Sequence, residues 1–231
     1  MNDDTDANQP SGTRVRVLIW DLPVRLFHWT LLGLMIALYV SAELLDDAIT
    51  LHATLGLTVL ALVVFRLIWG LVGSTYARFG QFVRGPGTVL RYSRSLFDRR
   101  PDLEAGHNPL GGWMVVILLA LTLLQAVLGL FSNDDVLFEG PLAGLISKST
   151  SDLLTGLHRE LFEVLLVLVG LHVAAVVWHK LFKGENLVIP MFTGYKELPA
   201  EARASALRGG NLLLAAALLV LCLGLVFWLL A

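Results

Sequence analysis

The chain has 231 residues, of which 56% are hydrophobic and 16% are charged, and its mean hydropathy is +0.71. These values lie outside the range of soluble domains and indicate an integral membrane protein. The net charge of −2 excludes little, because in a membrane chain the distribution of Lys and Arg among the loops matters more than their sum. The single cysteine, Cys222, excludes an internal disulfide and any cysteine-based metal cluster.

The first segment, residues 1–16, is polar and acid-rich, and we expect a disordered cytoplasmic tail. A cleaved signal peptide would instead begin with basic residues followed by an apolar run. Five later segments are long and apolar enough to cross a hydrocarbon core, which takes about 20 residues. They lie near residues 24–40, 52–72, 113–131, 156–181 and 212–230. The sequence therefore predicts an all-α integral membrane protein.

The links between these segments differ in charge. The link between the second and third segments carries six arginines, whereas the links after the first and third segments are rich in acids. By the positive-inside rule the N-terminus is cytoplasmic and the C-terminus lies outside. Aromatic and aliphatic residues alternate with the arginines of the basic link, which predicts an amphipathic helix at the inner leaflet, attracted to anionic lipid. This context argues against nucleic-acid binding.

Four histidines lie inside or at the ends of the apolar segments: His28, His52, His158 and His172. His158 and His172 stand fourteen residues apart on one predicted helix, so both rings point the same way at depths about 21 Å apart. By depth, His52 matches His158 near the outer surface and His28 matches His172 farther in. Neutral imidazoles facing a bundle interior at two levels suit two b-type haems. We therefore interpret the two pairs as axial ligands of an outer and an inner haem b.

The other two histidines, and a different use of the four, are the alternatives. His179 lies seven residues beyond His172 on the same helix face and is the main competing ligand, although it falls at the predicted cytoplasmic boundary. We interpret His107, in the arginine-rich link, as a solvated loop residue. A haem-free transporter or proton-handling protein could use the same histidines as relays.

Two arginines are candidates for binding haem propionates. Arg66 lies fourteen residues beyond His52, at the inner level, and Arg159 lies at the outer level. A guanidinium at membrane depth needs an anionic partner and forms bidentate hydrogen bonds with carboxylates. Arg159 has a second interpretation, in which it pairs with the neighbouring Glu160 or Glu163.

The predicted outer link, residues 132–155, combines four acids with the apolar run at residues 136–138. An acidic rim around an apolar patch suits the docking of a basic electron carrier such as a c-type cytochrome. The alternative is a solvated loop with a short helix lying on the membrane.

Several short motifs occur in a characteristic order. Residues 20–29 read WDLPVRLFHW, and His52-x3-Gly56, RLIWG at residues 66–70, the His158–His172 spacing and KGENL at residues 183–187 follow. In order and position they resemble the prokaryotic cytochrome b561 family, which includes the cytochrome b subunit of nickel-iron hydrogenases. The resemblance covers about residues 17–197.

The resemblance implies a four-helix bundle in the bacterial inner membrane that holds two haems b. Such a bundle exchanges electrons between membrane quinone and a periplasmic partner, such as a c-type cytochrome or a hydrogenase or dehydrogenase subunit. We therefore expect an electron-transfer subunit of an oxidoreductase, with a superoxide:quinone oxidoreductase acting at the outer haem as the alternative. Residues 198–231, a linker and a fifth helix, depart from the four-helix pattern, and that helix could dock a partner or complete an oligomer.

Overall fold

A computed structural model of the chain describes residues 14–99, 104–136, 138–199 and 210–230. Its elements in chain order are β1 (Arg14–Leu18), α1 (Leu22–Glu43), α2 (Ile49–Val72), α3 (Phe79–Phe82), α4 (Pro86–Arg94), α5 (Pro109–Leu130), α6 (Lys148–Phe182), α7 (Val188–Thr193), β2 (Tyr195–Pro199) and α8 (Leu212–Leu230). Within these ranges, α1, α2, α5, α6 and α8 are long and apolar enough to span a membrane. The prediction of a helical membrane bundle with a fifth, C-terminal helix is confirmed.

Polar caps set where the long helices begin. Asp21 accepts a hydrogen bond from the Val24 backbone N–H at 2.8 Å, and Asn108 accepts one from the Gly111 N–H at 2.7 Å. Such side chains satisfy backbone donors that the first turn of a helix leaves unpaired. Ser147 caps α6, which therefore begins at Lys148 rather than at residue 156 as predicted. The apolar run alone did not reveal this polar first part of α6.

The centre of the bundle is α2, which packs against α1, α5 and α8. Trp69 and Val63 of α2 are fully buried. α6 packs along α5. It contacts α1 through side chains, such as Phe162, whose ring stacks on that of Tyr39. α8 lies against α2, where it buries Cys222. The inner end of the bundle is the end at which α1 begins, and the outer end is the opposite one.

A two-stranded antiparallel sheet at the inner end lies across both predicted domain boundaries. Residues 14–16, expected in the disordered tail, belong to β1, and Leu198, expected in the linker, belongs to β2. Leu18 pairs with Tyr195, and the Arg16 guanidinium lies 4.3 Å from the centre of the Tyr195 ring. Local composition could not reveal a pairing between strands so distant in the chain. Residues 1–13 and 200–209 of the predicted tail and linker lie outside the described ranges.

Gly194, between α7 and β2, holds the chain in the turn that leads into this sheet. Its φ of 86° lies in the left-handed region, and a Cβ there would come within 2.7 Å of the Trp20 carbonyl oxygen. The same turn accepts backbone hydrogen bonds from Ile19 at 2.8 Å and Trp20 at 3.1 Å. Glycine is therefore required sterically at position 194.

The predicted amphipathic helix of the basic link corresponds to α4. Its Leu90 side chain is exposed, and Arg91 and Arg94 lie in its last turn. The Trp113 indole donates a hydrogen bond of 2.9 Å to the Arg84 carbonyl just before α4. The helix is therefore tied to the beginning of α5.

Candidate haem-binding site

The outer histidine pair joins the beginning of α2 to α6. The ring centroids of His52 and His158 lie 6.3 Å apart. A bond from an imidazole nitrogen to a metal is about 2 Å long, so two imidazoles on opposite faces of one metal have centroids roughly 6 Å apart. The spacing of His52 and His158 therefore fits a shared metal.

Both outer rings are oriented by backbone carbonyls. The His52 Nδ1 lies 3.2 Å from the Leu38 carbonyl oxygen, and the His158 Nδ1 lies 2.9 Å from that of Gln125. Because a carbonyl oxygen can only accept, these contacts favour the proton on Nδ1 in both rings, which leaves each Nε2 with its lone pair. A histidine that ligates a metal through one nitrogen donates from the other in this manner.

The inner histidine pair joins α1 to α6. The ring centroids of His28 and His172 lie 6.5 Å apart, close to the outer spacing. The Trp29 ring packs edge-on against His28 at 5.0 Å. The His28 Nδ1 is buried and has no hydrogen-bond partner among the described residues, so the inner pair lacks the carbonyl anchors of the outer pair.

The two pairs occupy two levels because His158 and His172 lie on the same uninterrupted helix, α6. At about 1.5 Å per residue, their fourteen-residue separation corresponds to about 21 Å. The structure thus brings together the predicted partners in both pairs, while their ligation of iron stays a prediction. No group of three or more His, Cys, Asp or Glu in the described ranges is arranged to hold a metal ion, and axial haem ligation needs only two.

Arg66, predicted to bind a propionate, is buried near the inner end of α2. Only 4% of the residue is exposed, and its guanidinium lies 5.2 Å from the centre of the Phe79 ring. Its Nη1 atom has no hydrogen-bond partner among the residues that the structure describes. A buried donor without an acceptor is costly, so this atom fits a carboxylate from a bound group.

Arg159, the other predicted propionate ligand, is exposed on α6 next to His158. Within the described ranges it forms no ion pair, so the pairing with Glu160 or Glu163 that was considered as an alternative is not found there. Its position beside the outer pair fits the predicted role, which stays a prediction.

His179, the competing ligand, is engaged in a buried polar cluster with Glu185. The His179 Nδ1 lies 3.2 Å from Glu185 Oε2, and the Lys196 ammonium lies 2.5 Å from Glu185 Oε1. Burial opposes ionisation of Glu185, but its contacts with His179 and Lys196 prevail and keep its pKa below the usual value. This cluster joins the end of α6 to β2. The motif at residues 183–187 contained Glu185 but gave no indication of its partners.

His107 is not the solvated loop residue that was predicted. Its ring is partly buried and packs against Trp20 at 4.6 Å and against Phe82 at 5.0 Å. Burial, followed by the nearby positive charge of Arg66, lowers the pKa of His107 to about 3. The polar, proline-containing sequence around residue 107 suggested exposure, whereas Trp20 and Phe82 cover the ring through tertiary packing.

Asp21 is a functional residue that the sequence motif contained but did not explain. Besides capping α1, it accepts a hydrogen bond of 3.0 Å from the Trp69 indole N–H of α2. The carboxylate is buried and acts electrostatically on Arg66. Asp21 therefore fixes α1, with His28, relative to α2, with Arg66. The signal in the sequence was an Asp directly before a helix with Pro in its first turn.

A family model described as prokaryotic cytochrome b561 matches residues 19–194. The match begins just before α1, includes both histidine pairs and Arg66, and ends before β2 and α8. No curated protein and no solved structure matches the chain.

Proposed function

Because this chain belongs to the prokaryotic cytochrome b561 family of membrane b-type electron-transfer proteins, we propose that it binds two haems b and transfers electrons between membrane quinone and a redox partner at the outer face. The partner is a c-type cytochrome or a hydrogenase or dehydrogenase subunit, and the membrane is the bacterial inner membrane. The observation that carries the proposal is the pair of imidazole spacings, 6.3 and 6.5 Å, at two levels of one bundle.

In this proposal His52 and His158 hold the outer haem, and His28 and His172 hold the inner one. When bound, haem b supplies reversible one-electron chemistry at its iron. The carbonyls of Leu38 and Gln125 keep the outer imidazoles in the tautomer that leaves Nε2 free to bind. An iron held by two imidazoles would have no position open to other ligands, which suits electron transfer.

Arg66 and Arg159 have matching roles at the two levels. The buried guanidinium of Arg66 neutralises a propionate of the inner haem, and the exposed one of Arg159 does so at the outer haem. Neutralising propionates keeps negative charge away from the iron and thereby favours its reduced state. The arginines thus help to set the potentials of the two centres.

Docking of the partner is assigned to the outer loop between α5 and α6. Val136, within the predicted apolar run, is 79% exposed, while Leu137 lies outside the described residues. Asp135 of the loop and Asp152 in the first part of α6, two of the four acids of the predicted outer link, form ion pairs with Lys148. The four acids outnumber Lys148, so the link as a whole keeps a net negative charge that attracts a basic partner.

A second candidate is oxidation of superoxide at the outer haem coupled to quinone reduction. Two superoxide anions would each give up one electron, and one quinone would take up both electrons with two protons, yielding two O₂ and one quinol. The specific support is the exposed Arg159 beside His158, because a cation with no ion-pair partner in the described ranges attracts a small anion.

Absorption spectroscopy of the purified full-length chain tests the proposal. Reduced-minus-oxidised spectra should show bis-histidine haem b at about two haems per chain. A colourless preparation, expressed with ample haem, would overturn it and leave the haem-free transporter or proton-handling protein. Stopped-flow mixing then distinguishes the two candidates. In one experiment the protein is mixed with superoxide alone, and in the other with a reduced or oxidised c-type cytochrome alone. The reagent that exchanges electrons with the haems identifies the function.

A further inference from the structure

A ring of side-chain contacts surrounds the inner end of α2. The guanidinium of Arg66 lies 5.2 Å from the Phe79 ring centre, and Phe79 packs edge-on against Phe82 at 5.7 Å. Phe82 then contacts His107 at 5.0 Å, and His107 contacts Trp20 at 4.6 Å. These contacts connect Arg66 of α2 to His107 of the loop before α5.

Two further links close the ring. Trp20 precedes Asp21, whose carboxylate accepts the 3.0 Å hydrogen bond from Trp69, one turn of helix beyond Arg66. The Phe79 ring lies against the backbone of Gly70, where a Cβ would come within 2.1 Å of it. Phe79 can therefore approach α2 only because residue 70 is glycine.

The two polar groups among these aromatic rings, the Arg66 guanidinium and the His107 imidazole, differ in charge. Arg66 is permanently charged and buried, and its Nη1 has no partner among the described residues. His107 is held neutral near pH 7 by burial and by the positive charge of Arg66, which lowers its pKa to about 3. A neutral imidazole can donate one N–H to an acceptor without adding a second positive charge.

The inner histidines face the same region. His107 packs against Trp20, which lies just before α1, and His28 lies in the second turn of that helix beside His172, so His107 lies at the same end of the bundle as the inner pair. We propose that Arg66 and His107 together bind one carboxylate beside the inner histidine pair, with His107 as a positioning residue. The proposal rests on the proposed function, under which that carboxylate is a propionate of the inner haem.

Two variants of His107 separate hydrogen bonding from packing. His107→Phe keeps an aromatic ring between Trp20 and Phe82 but loses the N–H, whereas His107→Asn keeps an N–H donor and loses the ring. The full-length haem-loaded protein is studied by redox titration of both haems and by resonance Raman spectroscopy of the propionate modes. The outer haem serves as an internal control for folding.

We expect His107→Phe to lower the inner-haem potential and shift its propionate mode, because the carboxylate keeps more negative charge when a donor is removed. The outer-haem potential should stay at the parent value. In His107→Asn the inner-haem potential and the propionate mode should stay closer to the parent values than in His107→Phe. Arg66→Gln should shift the inner-haem potential and the propionate mode in the same direction and by a larger amount. In the double variant, His107→Phe should have a smaller effect than it has alone, since both residues act on one carboxylate.

If the parent protein holds two haems and His107→Phe leaves the inner-haem potential and the propionate mode unchanged, this proposal is overturned and the proposed function is not. The proposal is also overturned if His107→Asn changes these two properties while His107→Phe does not, because the His107 ring would then serve packing only. A parent without haem would overturn the proposed function and this proposal with it. If His107→Phe also loses its outer haem, the fold has failed and the result of His107→Asn decides.

Discussion

Gly129 of α5 lies directly against the ring of His158 of α6. A Cβ at position 129 would come within 3.2 Å of the imidazole Cε1. Contacts this short require the neighbour to move, and His158 is already fixed by its hydrogen bond to the Gln125 carbonyl, one turn before Gly129. The absence of a side chain at residue 129 therefore allows the outer imidazole to lie this close to α5.

Replacing Gly129 with valine should displace His158 and empty the outer haem site while the inner site stays loaded. The expected result is a fall from about two haems per chain toward one, measured by a pyridine haemochrome assay on the purified protein. Gly224→Val in α8 is the matched control, because a Cβ at Gly224 meets nothing within 4 Å. Equal haem content in the two variants would show that close packing at Gly129 does not govern the outer site.

Single alanine substitutions in α6 should separate the two centres. Under the proposed ligation, His158→Ala would remove one ligand of the outer haem and His172→Ala one ligand of the inner haem, so each variant should keep one haem with its own potential. Potentiometric titration, followed optically, distinguishes which haem remains. Loss of both haems from one substitution would indicate a folding effect, and full haem content in both variants would contradict the pairing.

Asp21→Ala should destabilise the inner end of the bundle. The substitution removes the cap of α1, which is worth about 1 kcal/mol, and the hydrogen bond to Trp69, which is worth about 1 kcal/mol more. It also takes away the carboxylate near Arg66. Thermal unfolding in detergent should therefore begin at a lower temperature than in the parent. Thr54→Ala, which removes an exposed hydroxyl bonded within its own helix, should leave the transition unchanged.

Glu185→Gln should weaken the junction between α6 and β2. Lys196, whose side chain is 11% exposed, would lose its ionic partner, and breaking a buried pair costs about 3 kcal/mol. Because contacts with His179 and Lys196 lower the pKa of Glu185 from 4.5, its contribution to stability is present above that pH and is lost as the pH falls through the lower folded-state pKa. The parent should therefore lose its stability advantage over the variant in acid.

The control for Glu185→Gln is Lys148→Gln at the outer loop. Lys148 contacts two carboxylates, but all three side chains are exposed to solvent, so removing the ammonium should leave the unfolding temperature close to that of the parent. A comparable fall in unfolding temperature in both variants would show that burial does not make the Glu185–Lys196 pair more stabilising than an exposed pair.

The features predicted correctly from sequence are those that depend on period and length. Five apolar runs gave the five spans, and a fourteen-residue separation on one helix placed His158 and His172 at two depths. Their partners followed from depth matching, because the connections between spans leave few ways to arrange four histidines. These relations are nearly one-dimensional and can be read along the chain.

The features that were missed depend on contacts between distant segments. His107 is covered by Trp20 and Phe82, and nothing in the sequence near residue 107 announces those rings. The first three residues of β1 read as part of a tail because their partner strand, β2, lies far away in the chain. The beginning of α6 was placed too late because its first turns are polar and gain their stability from the Ser147 cap.

α6 runs without a break from Lys148 to Phe182 and supplies one imidazole to each pair. An α-helix bends and tilts far more readily than it stretches, since its length is set by hydrogen bonds in every turn. Thermal motion of α1, α2 or α8 can change how firmly each histidine partner is held, but it leaves the interval between the two levels unaltered. α6 therefore fixes this interval, and under the proposed function a single stretch of chain would set the length over which an electron tunnels.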